Sequence, residues 1–238
     1  MFNIYKQRLD GGTQQLVADI PGIEMSPVWS PDGSEIAFHS ETGGPQGLDI
    51  RVVSADGGTA EQLTDFLDQD ANPDWSPDGL AIAFQSQERV PFSTWMVSRD
   101  SVGMPWSDPV QLTDFGCRPP EWAPDGESLV CYTGARGGQF VRVSRDGEVL
   151  ARLPKPAGIV DVENPEFSPD GSRIYFYGTH EDGSDAIWSI SANGGEATRV
   201  VAFDHPSLTG LGFTVASENV YFVLTESESD IWVMDLEW

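Results

Sequence analysis

The sequence has few basic residues. Its 13 lysines and arginines stand against 38 aspartates and glutamates, which gives a formal net charge of −25 at pH 7. A protein that binds DNA or RNA needs a basic face for the phosphates, and a protein that docks on anionic lipid needs basic clusters. The charge therefore argues against both functions, and by itself it is typical of a solvated, soluble surface.

Long apolar runs and a cysteine framework are also missing. No run of 18 apolar residues is present, so no segment is predicted to span a membrane. The first residues, MFNIYKQRLDGG, lack the apolar stretch of a signal peptide, which predicts either a cytoplasmic protein or a mature domain separated from a leader or a larger parent. The two cysteines are too few for a disulfide-rich scaffold.

What the sequence does contain is an internal repeat. Five aromatic residues, which we call the lead aromatics, recur at intervals of 45 to 47 residues: Trp29, Trp75, Trp122, Phe167 and Phe213. Ser-Pro-Asp-Gly or Ala-Pro-Asp-Gly follows the first four, and Pro, Asp and Gly are residues that favour a tight turn. Nine residues after the lead aromatics come Phe38, Phe84, Cys131, Phe176 and Phe222.

Each repeat reads as four short strands, A to D. Strand A carries the lead aromatic, and strand B is the β-rich run after the turn, such as Ile36-Ala37-Phe38. Strand C is typified by residues 49–53, and strand D ends in Leu-Thr-Asp-Phe, as at 63–66. Repeats of about 40–50 residues with four antiparallel strands are typical of a β-propeller. The sequence therefore predicts an all-β protein, a propeller of four-stranded antiparallel blades that forms a single domain over residues 1–238.

The two ends of the chain carry partial repeats. Residues 3–18 match strands C and D, and residues 230–238 match strand C, so that the chain holds five A–B pairs, six C strands and five D strands. Strand D at 14–18 is predicted to close the ring beside 230–236. Five full repeats plus a half repeat leave five and six blades both open.

The turns and strand ends resemble a known family. With its Trp-Ser-Pro-Asp-Gly turns, its Asp-Ile-Trp strand at 230–232 and its Leu-Thr-Asp strand ends, the chain resembles the TolB-type β-propellers of the WD-like repeat group. The family includes periplasmic TolB, the propeller part of prolyl oligopeptidase-like enzymes, and sensor domains fused to bacterial kinases or regulators. The resemblance implies a recognition role without catalysis and, as in TolB, a periplasmic location. The sequence departs from TolB in having no signal peptide and no room for its N-terminal α/β domain.

Propeller ligands usually bind at the tunnel mouth, on the D–A and B–C loops, and in this chain those loops are acidic. They carry the acids Glu24, Glu41, Asp68, Asp70, Glu88, Asp161, Glu163, Glu181, Asp182, Asp204, Glu226 and Glu228 and the bases Arg89, Arg118, Arg136 and Lys155. An acidic mouth attracts cations, amines or a basic peptide segment, although this face also shares the acidity of the whole protein. The predicted binding residues are Glu24, Asp68, Asp70, Asn72, Arg118, Asp161, Glu163 and Asn164.

No cofactor is predicted, and calcium stays an open alternative. Asp68, Asp70 and Asn72 place oxygen atoms at alternate positions, as at the start of an EF-hand loop. However, Pro73 stands where that loop needs glycine and Gly79 where it needs glutamate. Asp68 and Asp70 are kept as calcium candidates, alone or in an ion site shared with residues 161–164.

Zinc and nucleophilic catalysis lack their usual residues. His39, His180 and His205 are scattered, and the sequence has no Cys-x-x-Cys and no His-Glu-x-x-His. It has no Gly-x-Ser-x-Gly elbow, and no spacing nominates a Ser-His-Asp set. No catalytic residue is therefore predicted.

Cysteine and tryptophan positions follow from the repeat. Cys131 occupies a strand B phenylalanine position and is predicted to be a buried thiol, with a disulfide to Cys117 as the alternative. Trp29, Trp75 and Trp122 are predicted to pack between blades. Trp188 and Trp232 share a strand C position, and Trp95 aligns one residue earlier. Residues 90–108 are the most irregular segment, interpreted as a longer surface hairpin with a recognition surface as the alternative.

Together these features predict a non-enzymatic propeller that acts as a binding or scaffold module. Its expected partner is a protein or a peptide segment, basic in character, and neither nucleic acid nor a membrane. The alternative function is an accessory propeller of a larger peptidase, kinase or regulator. A third is an assembly unit that pairs with another chain through open strand edges.

Overall fold

The computed structural model describes residues 3–41, 47–88, 91–134, 138–203, 209–216, 219–225 and 230–235. For residues 209–211, 223–225 and 230–235 it describes the backbone alone. Throughout these ranges the structure consists of strands and turns, with 21 strands and no helix. Within the same ranges no helix is long and apolar enough to cross a membrane.

The strands fall into the four predicted types. Strands A are β3 (Glu24–Trp29), β7 (Asp70–Trp75), β11 (Arg118–Trp122), β15 (Ile159–Phe167) and β19 (Thr209–Ala216). Strands B are β4 (Glu35–Glu41), β8 (Ala81–Ser86), β12 (Ser128–Tyr132), β16 (Arg173–His180) and β20 (Asn219–Thr225). Strands C are β1 (Ile4–Lys6), β5 (Leu48–Ser54), β9 (Ser93–Ser98), β13 (Phe140–Ser144), β17 (Asp185–Ser191) and β21 (Asp230–Asp235). Strands D are β2 (Gln15–Ala18), β6 (Glu61–Gln62), β10 (Val110–Gln111), β14 (Val149–Leu153) and β18 (Thr198–Ala202).

The sheets repeat one topology, in which each strand neighbours the next along the chain. Four sheets have four strands, in the orders β3-β4-β5-β6, β7-β8-β9-β10, β11-β12-β13-β14 and β15-β16-β17-β18. The last sheet is β19-β20-β21, and β1 and β2 form a two-stranded sheet. The predicted fold class is therefore confirmed. Strands β6 and β10 end at Gln62 and Gln111, so the prediction that strand D ends in Leu-Thr-Asp-Phe is wrong for both. The closing of the ring by 14–18 beside 230–236 and the number of blades stay predictions.

The chain folds as two compact units, Met1–Trp122 (unit 1) and Ala123–Trp238 (unit 2). Strands β1 to β11 lie in unit 1, and β12 to β21 lie in unit 2. The single domain over residues 1–238 stays a prediction.

The Pro-Asp-Gly turns between strands A and B hold themselves together through the aspartate. In the first turn Asp32 Oδ1 accepts from Ser30 Oγ at 2.7 Å and from Ser34 N at 3.0 Å. Gly33 has a φ of 72°, a left-handed conformation that glycine adopts without strain, and its amide donates to Ser30 O at 2.9 Å. The bonds from Ser34 and Ser30 lower the pKa of Asp32 to about 2, so this carboxylate is ionised at neutral pH.

Blades pack through the lead aromatics and strands B and C. In unit 1, Trp75 belongs to one core cluster with Ala37 and Ile50 of the preceding blade, and its indole N–H donates to Val28 O at 3.3 Å. Trp122 is 4% exposed on β11, which contacts β7 and β8 of the preceding blade, so the predicted packing is confirmed for both residues. In unit 2, Phe167 packs in the same way in a cluster with Phe140 and Phe176.

The prediction is wrong for Trp29, which is 51% exposed. The sheet that precedes it is β1-β2, and the described residues give that sheet no strand A or B. Trp75 is covered by strand A and B residues of its preceding blade, Val28 and Ala37. Trp29 lacks that cover because the described part of the half repeat supplies strands C and D alone.

The register of strand C corrects the alignment of Trp95. Trp95 lies opposite Phe84, just as Trp188 lies opposite Phe176 and Trp232 lies opposite Phe222. The three tryptophans therefore occupy one position, and the expectation that Trp95 comes one residue earlier is wrong. Loops of different length between strands B and C hide this equivalence in the sequence.

The irregular segment after β9 covers a buried arginine. Arg99 is 7% exposed and forms a bidentate ion pair with Glu35, at 3.2 Å and 2.5 Å. Its guanidinium carbon lies 4.5 Å from the ring centroid of Trp106 and 5.4 Å from that of Trp75. The excursion thus packs on Trp75 of its own sheet through Trp106, and Arg99 joins it to Glu35 of the preceding sheet.

Neither cysteine is a free thiol. Cys131 is 0% exposed in strand B, as its position predicts, but Cys117 and Cys131 are both disulfide-bonded. The prediction of a free buried thiol is therefore wrong, and the alternative holds.

Candidate functional site

One edge of the sheets carries the acidic loops. Because neighbouring strands are antiparallel, strands A begin and strands B end at the same edge, which we call the upper edge. Five acidic residues at the upper edge of unit 1 are exposed: Glu41, Asp65, Asp68, Glu88 and Asp114. This edge of unit 1 is therefore strongly negative.

Glu24 holds the first full sheet to the half repeat. It is 3% exposed at the start of β3, and its carboxylate accepts from Ile4 N at 3.0 Å and from Ile20 N. Both carboxylate oxygens are thus used by backbone amides of the segment that carries β1 and β2. Its contacts assign Glu24 a structural role.

Asp70 is the most unusual of the predicted residues. It begins β7 opposite Ser86 and is 0% exposed. Burial raises the pKa of its carboxyl to about 7; the nearby hydroxyls of Ser86 and Thr64 oppose this, and the charges of Asp49 and Glu88 add to it. Neither carboxylate oxygen, however, has a donor at ordinary hydrogen-bond length and angle.

The side chains beside Asp70 form an ordered polar network. Gln62 Nε2 donates to Asp49 Oδ2 and to Thr64 O, both at 2.9 Å, and Thr64 Oγ1 accepts from Ile50 N at 3.0 Å. Arg51 donates to Gln62 Oε1 at 2.8 Å. We call Gln62 and Thr64 the Gln–Thr bracket, because together they join the end of strand D to the start of strand C.

Asn72 sits at a bulge that recurs in strands A. Ser26, Asn72 and Asn164, each three residues before a lead aromatic, have φ values of 52°, 53° and 48°. Asn72 Oδ1 accepts from Ser26 Oγ at 3.3 Å, and Asn72 N donates to His39 Nδ1 at 3.4 Å. Burial lowers the pKa of His39 to about 4, so this imidazole is neutral at pH 7 and accepts the bond.

Arg118 and Asp68 complete the predicted residues in unit 1. The guanidinium carbon of Arg118 lies 4.5 Å from the ring centroid of Phe92, and the side chain is half-buried. Asp68 is exposed, whereas Asp70, two residues on, is fully buried. The alternation that suggested an EF-hand start therefore puts the two carboxylates in different surroundings.

The remaining predicted residues lie in unit 2, on β15. Asp161 is half-buried, and its Oδ1 accepts from the amide of Val162 at 3.0 Å. Glu163 and Asn164 are exposed and lie at a narrow cavity whose walls include Tyr177 and Phe203. The predicted site thus consists of a group in unit 1 and a group in unit 2, and each is described by itself. Among the loop residues of the prediction, Arg89, Arg136, Asp204, Glu226 and Glu228 lie outside the described residues, as does His205.

Sequence reasoning missed Asp49, the Gln–Thr bracket and Glu166. The pattern Gln-Leu-Thr-Asp-Phe occurs at 62–66 and again at 111–115 and could have revealed the bracket. Glu166 accepts from Thr214 Oγ1 and from Val215 N, both at 2.7 Å, and burial raises the pKa of its carboxyl to about 7. In the part of the chain that the structure describes, no three or more His, Cys, Asp or Glu side chains form a group suited to a metal ion.

Comparison with known proteins agrees with this architecture. Residues 2–91 match the family model described as the TolB beta propeller domain. The protein Atu1656 of Agrobacterium fabrum is 30% identical over 220 residues, which is 88% of this chain and 69% of that protein. A solved structure from Agrobacterium tumefaciens that is assigned to TolB has a TM-score of 0.74 at 21% identity, over 94% of this chain and 80% of that chain. A puromycin-hydrolyzing peptidase of Mycobacterium tuberculosis has a TM-score of 0.66 at 15% identity, over 97% of this chain and 39% of the peptidase.

Proposed function

Because the chain belongs to the TolB-like β-propeller family, we propose that it is a binding module without catalytic activity. Its ligand in this proposal is a basic segment of a partner protein, held against the upper edge of unit 1. The observation that carries the proposal is the set of exposed acidic side chains on that edge, named above. An exposed surface of one charge sign raises both the rate and the specificity of association with a partner of the opposite sign.

Among the residues that the structure describes, two arginines near this edge are held by contacts within the chain. Arg51 donates to Ser40 Oγ at 2.9 Å and to Gln62 Oε1 at 2.8 Å. Arg118 lies over the ring of Phe92. A partner's lysine or arginine would meet exposed carboxylates on this edge, such as Asp68 and Glu88.

The titratable groups with shifted pKa values near this edge favour binding over catalysis. Asp70 is 0% exposed and His39 is 4% exposed, so a substrate on the surface reaches neither side chain. General acid–base catalysis needs a group within hydrogen-bond reach of the substrate. The groups that are exposed, such as Asp68, are solvated carboxylates of the kind that attract and orient a charged partner.

Charge reversal tests the proposal. The probe is a fluorescent peptide of eight lysines, and its affinity for the full chain is measured by anisotropy at low and at physiological salt. We expect Asp68→Lys with Glu88→Lys to weaken binding at least about tenfold. The control, Asp100→Lys with Asp108→Lys, changes the net charge equally at the opposite edge, where both residues are exposed. An equal loss in the two variants would show that only net charge matters and would refute a binding face.

A second candidate is an accessory propeller that controls access to a catalytic domain. It is favoured by the peptidase similarity, which covers 39% of the peptidase and thus one part of a longer enzyme. The open reading frame that encodes the chain tests it directly. A peptidase, kinase or regulator domain in the same frame would support this candidate, and its absence there would count against it.

A third candidate is assembly through the open face of the half repeat. Tyr5 and Leu16 are cross-strand partners in the β1-β2 sheet and are 54% and 46% exposed, and Trp29 is 51% exposed. Apolar side chains on a two-stranded sheet favour pairing with another sheet. Analytical ultracentrifugation over a range of protein concentrations tests this. A molecular mass that rises with concentration in the wild type, and rises less in Leu16→Lys, supports assembly. A monomeric mass at every concentration refutes it.

A further inference from the structure

Asp70 is a buried carboxyl group without a counter-charge. It is 0% exposed, and neither of its oxygens has a donor at ordinary hydrogen-bond geometry. Within the described residues no basic side chain forms an ion pair with it. A buried carboxylate is costly unless a cation, a donor or a proton compensates for its lost hydration.

The side chains that act on Asp70 carry oxygen atoms. Asp49 is 2% exposed, and its charge acts on Asp70. Ser86, 0% exposed, lies opposite Asp70 in the sheet, and the buried Thr64 hydroxyl is close by. The backbone amide of Ile50 already donates to Thr64 Oγ1, and that of Glu88 donates to Ser86 Oγ at 3.1 Å, so both hydroxyl oxygens are fixed in position.

The neighbouring blade builds the same bracket without the first acid. Gln111 Nε2 donates to Thr113 O at 2.8 Å, and Thr113 Oγ1 accepts from Thr94 N at 3.0 Å, as in the Gln–Thr bracket. Gln111 Nε2 also donates to Ser93 Oγ at 3.3 Å. Ser93 thus stands at the position that Asp49 occupies in the first blade. The fold therefore forms this junction with a neutral residue.

The second acid is also absent from that blade. Cys117 lies five residues before Trp122, as Asp70 lies five residues before Trp75, and both positions are fully buried. Two carboxyl groups thus occur together at one junction and are replaced by uncharged residues at the next. Since neither is needed to build the strands, their burial indicates a ligand that compensates for the charge.

We propose that Asp70 and Asp49, with the hydroxyls of Thr64 and Ser86, bind a calcium ion in unit 1. Calcium takes about six to eight oxygen ligands in irregular geometry and accepts carboxylates in a bidentate manner, whereas magnesium demands near-octahedral geometry and zinc prefers nitrogen and sulfur. The exposed Asp68 and Glu88 outside the site raise the local concentration of cations. The site is independent of the proposed binding of a basic segment, because its ligands are buried and that surface is exposed.

Calcium titration of the full chain tests the site. The protein is stripped with EDTA and titrated with CaCl2 in a calorimeter, and thermal unfolding is followed in parallel, with NaCl holding the ionic strength constant. We expect saturable binding of one ion and a Tm that rises by roughly 4 °C or more. Asp70→Asn should lower the affinity at least about tenfold and remove the rise in Tm. Asp68→Asn, the exposed control two residues away, should keep both.

Three outcomes would overturn the proposal. They are the absence of saturable binding to the wild-type chain, an Asp70→Asn variant that binds as the wild type does, and an Asp68→Asn variant that loses as much as Asp70→Asn. The first two show that a proton compensates for the buried carboxyl, and the third shows that calcium responds to surface charge. Asp49→Asn is made in parallel and replaces Asp70→Asn if that variant does not fold.

Discussion

Glu166 in unit 2 makes the stability of the fold fall as the pH rises. It lies on β15 and joins this strand to β19 through Thr214 Oγ1 and Val215 N, both at 2.7 Å. Burial raises the pKa of its carboxyl from 4.5 to about 7, so the native state holds the proton more tightly than the unfolded chain does. The stabilisation is complete below about pH 4.5 and is lost as the pH rises through about 7.

The magnitude follows from the pKa. One pKa unit corresponds to about 1.4 kcal/mol, so the change from 4.5 to about 7 corresponds to about 3 kcal/mol of stability lost above neutral pH. Glu166→Gln keeps an oxygen that accepts from Val215 N and cannot ionise. We therefore expect the variant to equal the wild type at about pH 4 and to be more stable by up to about 3 kcal/mol at about pH 8.

Urea unfolding followed by tryptophan fluorescence at these two pH values measures the difference. Glu163→Gln is the matched control, because Glu163 is exposed on the same strand and its removal should change little at either pH. A Glu166→Gln variant that is no more stable than the wild type at about pH 8 would refute the reasoning, as would an equal gain in the control.

Two further predictions concern the core. Trp75→Ala should lower the free energy of unfolding by about 3–5 kcal/mol, and Trp29→Ala should lower it by about 1 kcal/mol or less. The reason is that Trp75 is 5% exposed and Trp29 is 51% exposed. Equal losses in urea unfolding would contradict the packing described. Ellman's reagent should detect no thiol in the non-reduced protein and two thiols after reduction. Reduction should lower the free energy of unfolding by about 3 kcal/mol, as for a loop of about 15 residues. Two thiols before reduction would refute the disulfide.

The strand pattern was predictable because each repeat carries its own local signals. The lead aromatic and the Pro-Asp-Gly turn fix where strand A ends, and Asp32 shows why, since its side chain closes the turn within a few residues. The strand types and their antiparallel order follow from such local signals. The register of Trp95 opposite Phe84 did not follow, because it depends on loop length rather than on a local motif.

The candidate site was predictable only as a region. Asp68 and Asp70 look alike in the sequence, yet one is exposed and the other is fully buried. Glu24, one of the predicted binding residues, accepts hydrogen bonds from Ile20 N and from Ile4 N, which lies 20 residues away in the chain. Asp49 escaped notice because its importance comes from Gln62 and from Asp70, which reach it only in the folded sheet.

The sequence by itself determined the repeat, the four strand types and the acidic character of the upper edge. These properties depend on residues that are neighbours in the chain, and hydrophobic periodicity and turn chemistry express them directly. Only the tertiary structure decided which carboxylates are buried, why Trp29 is exposed while Trp75 is not, and that both cysteines are disulfide-bonded. Burial and pairing depend on segments distant in the chain, so a side chain's solvent access and pKa are set once the sheets have packed.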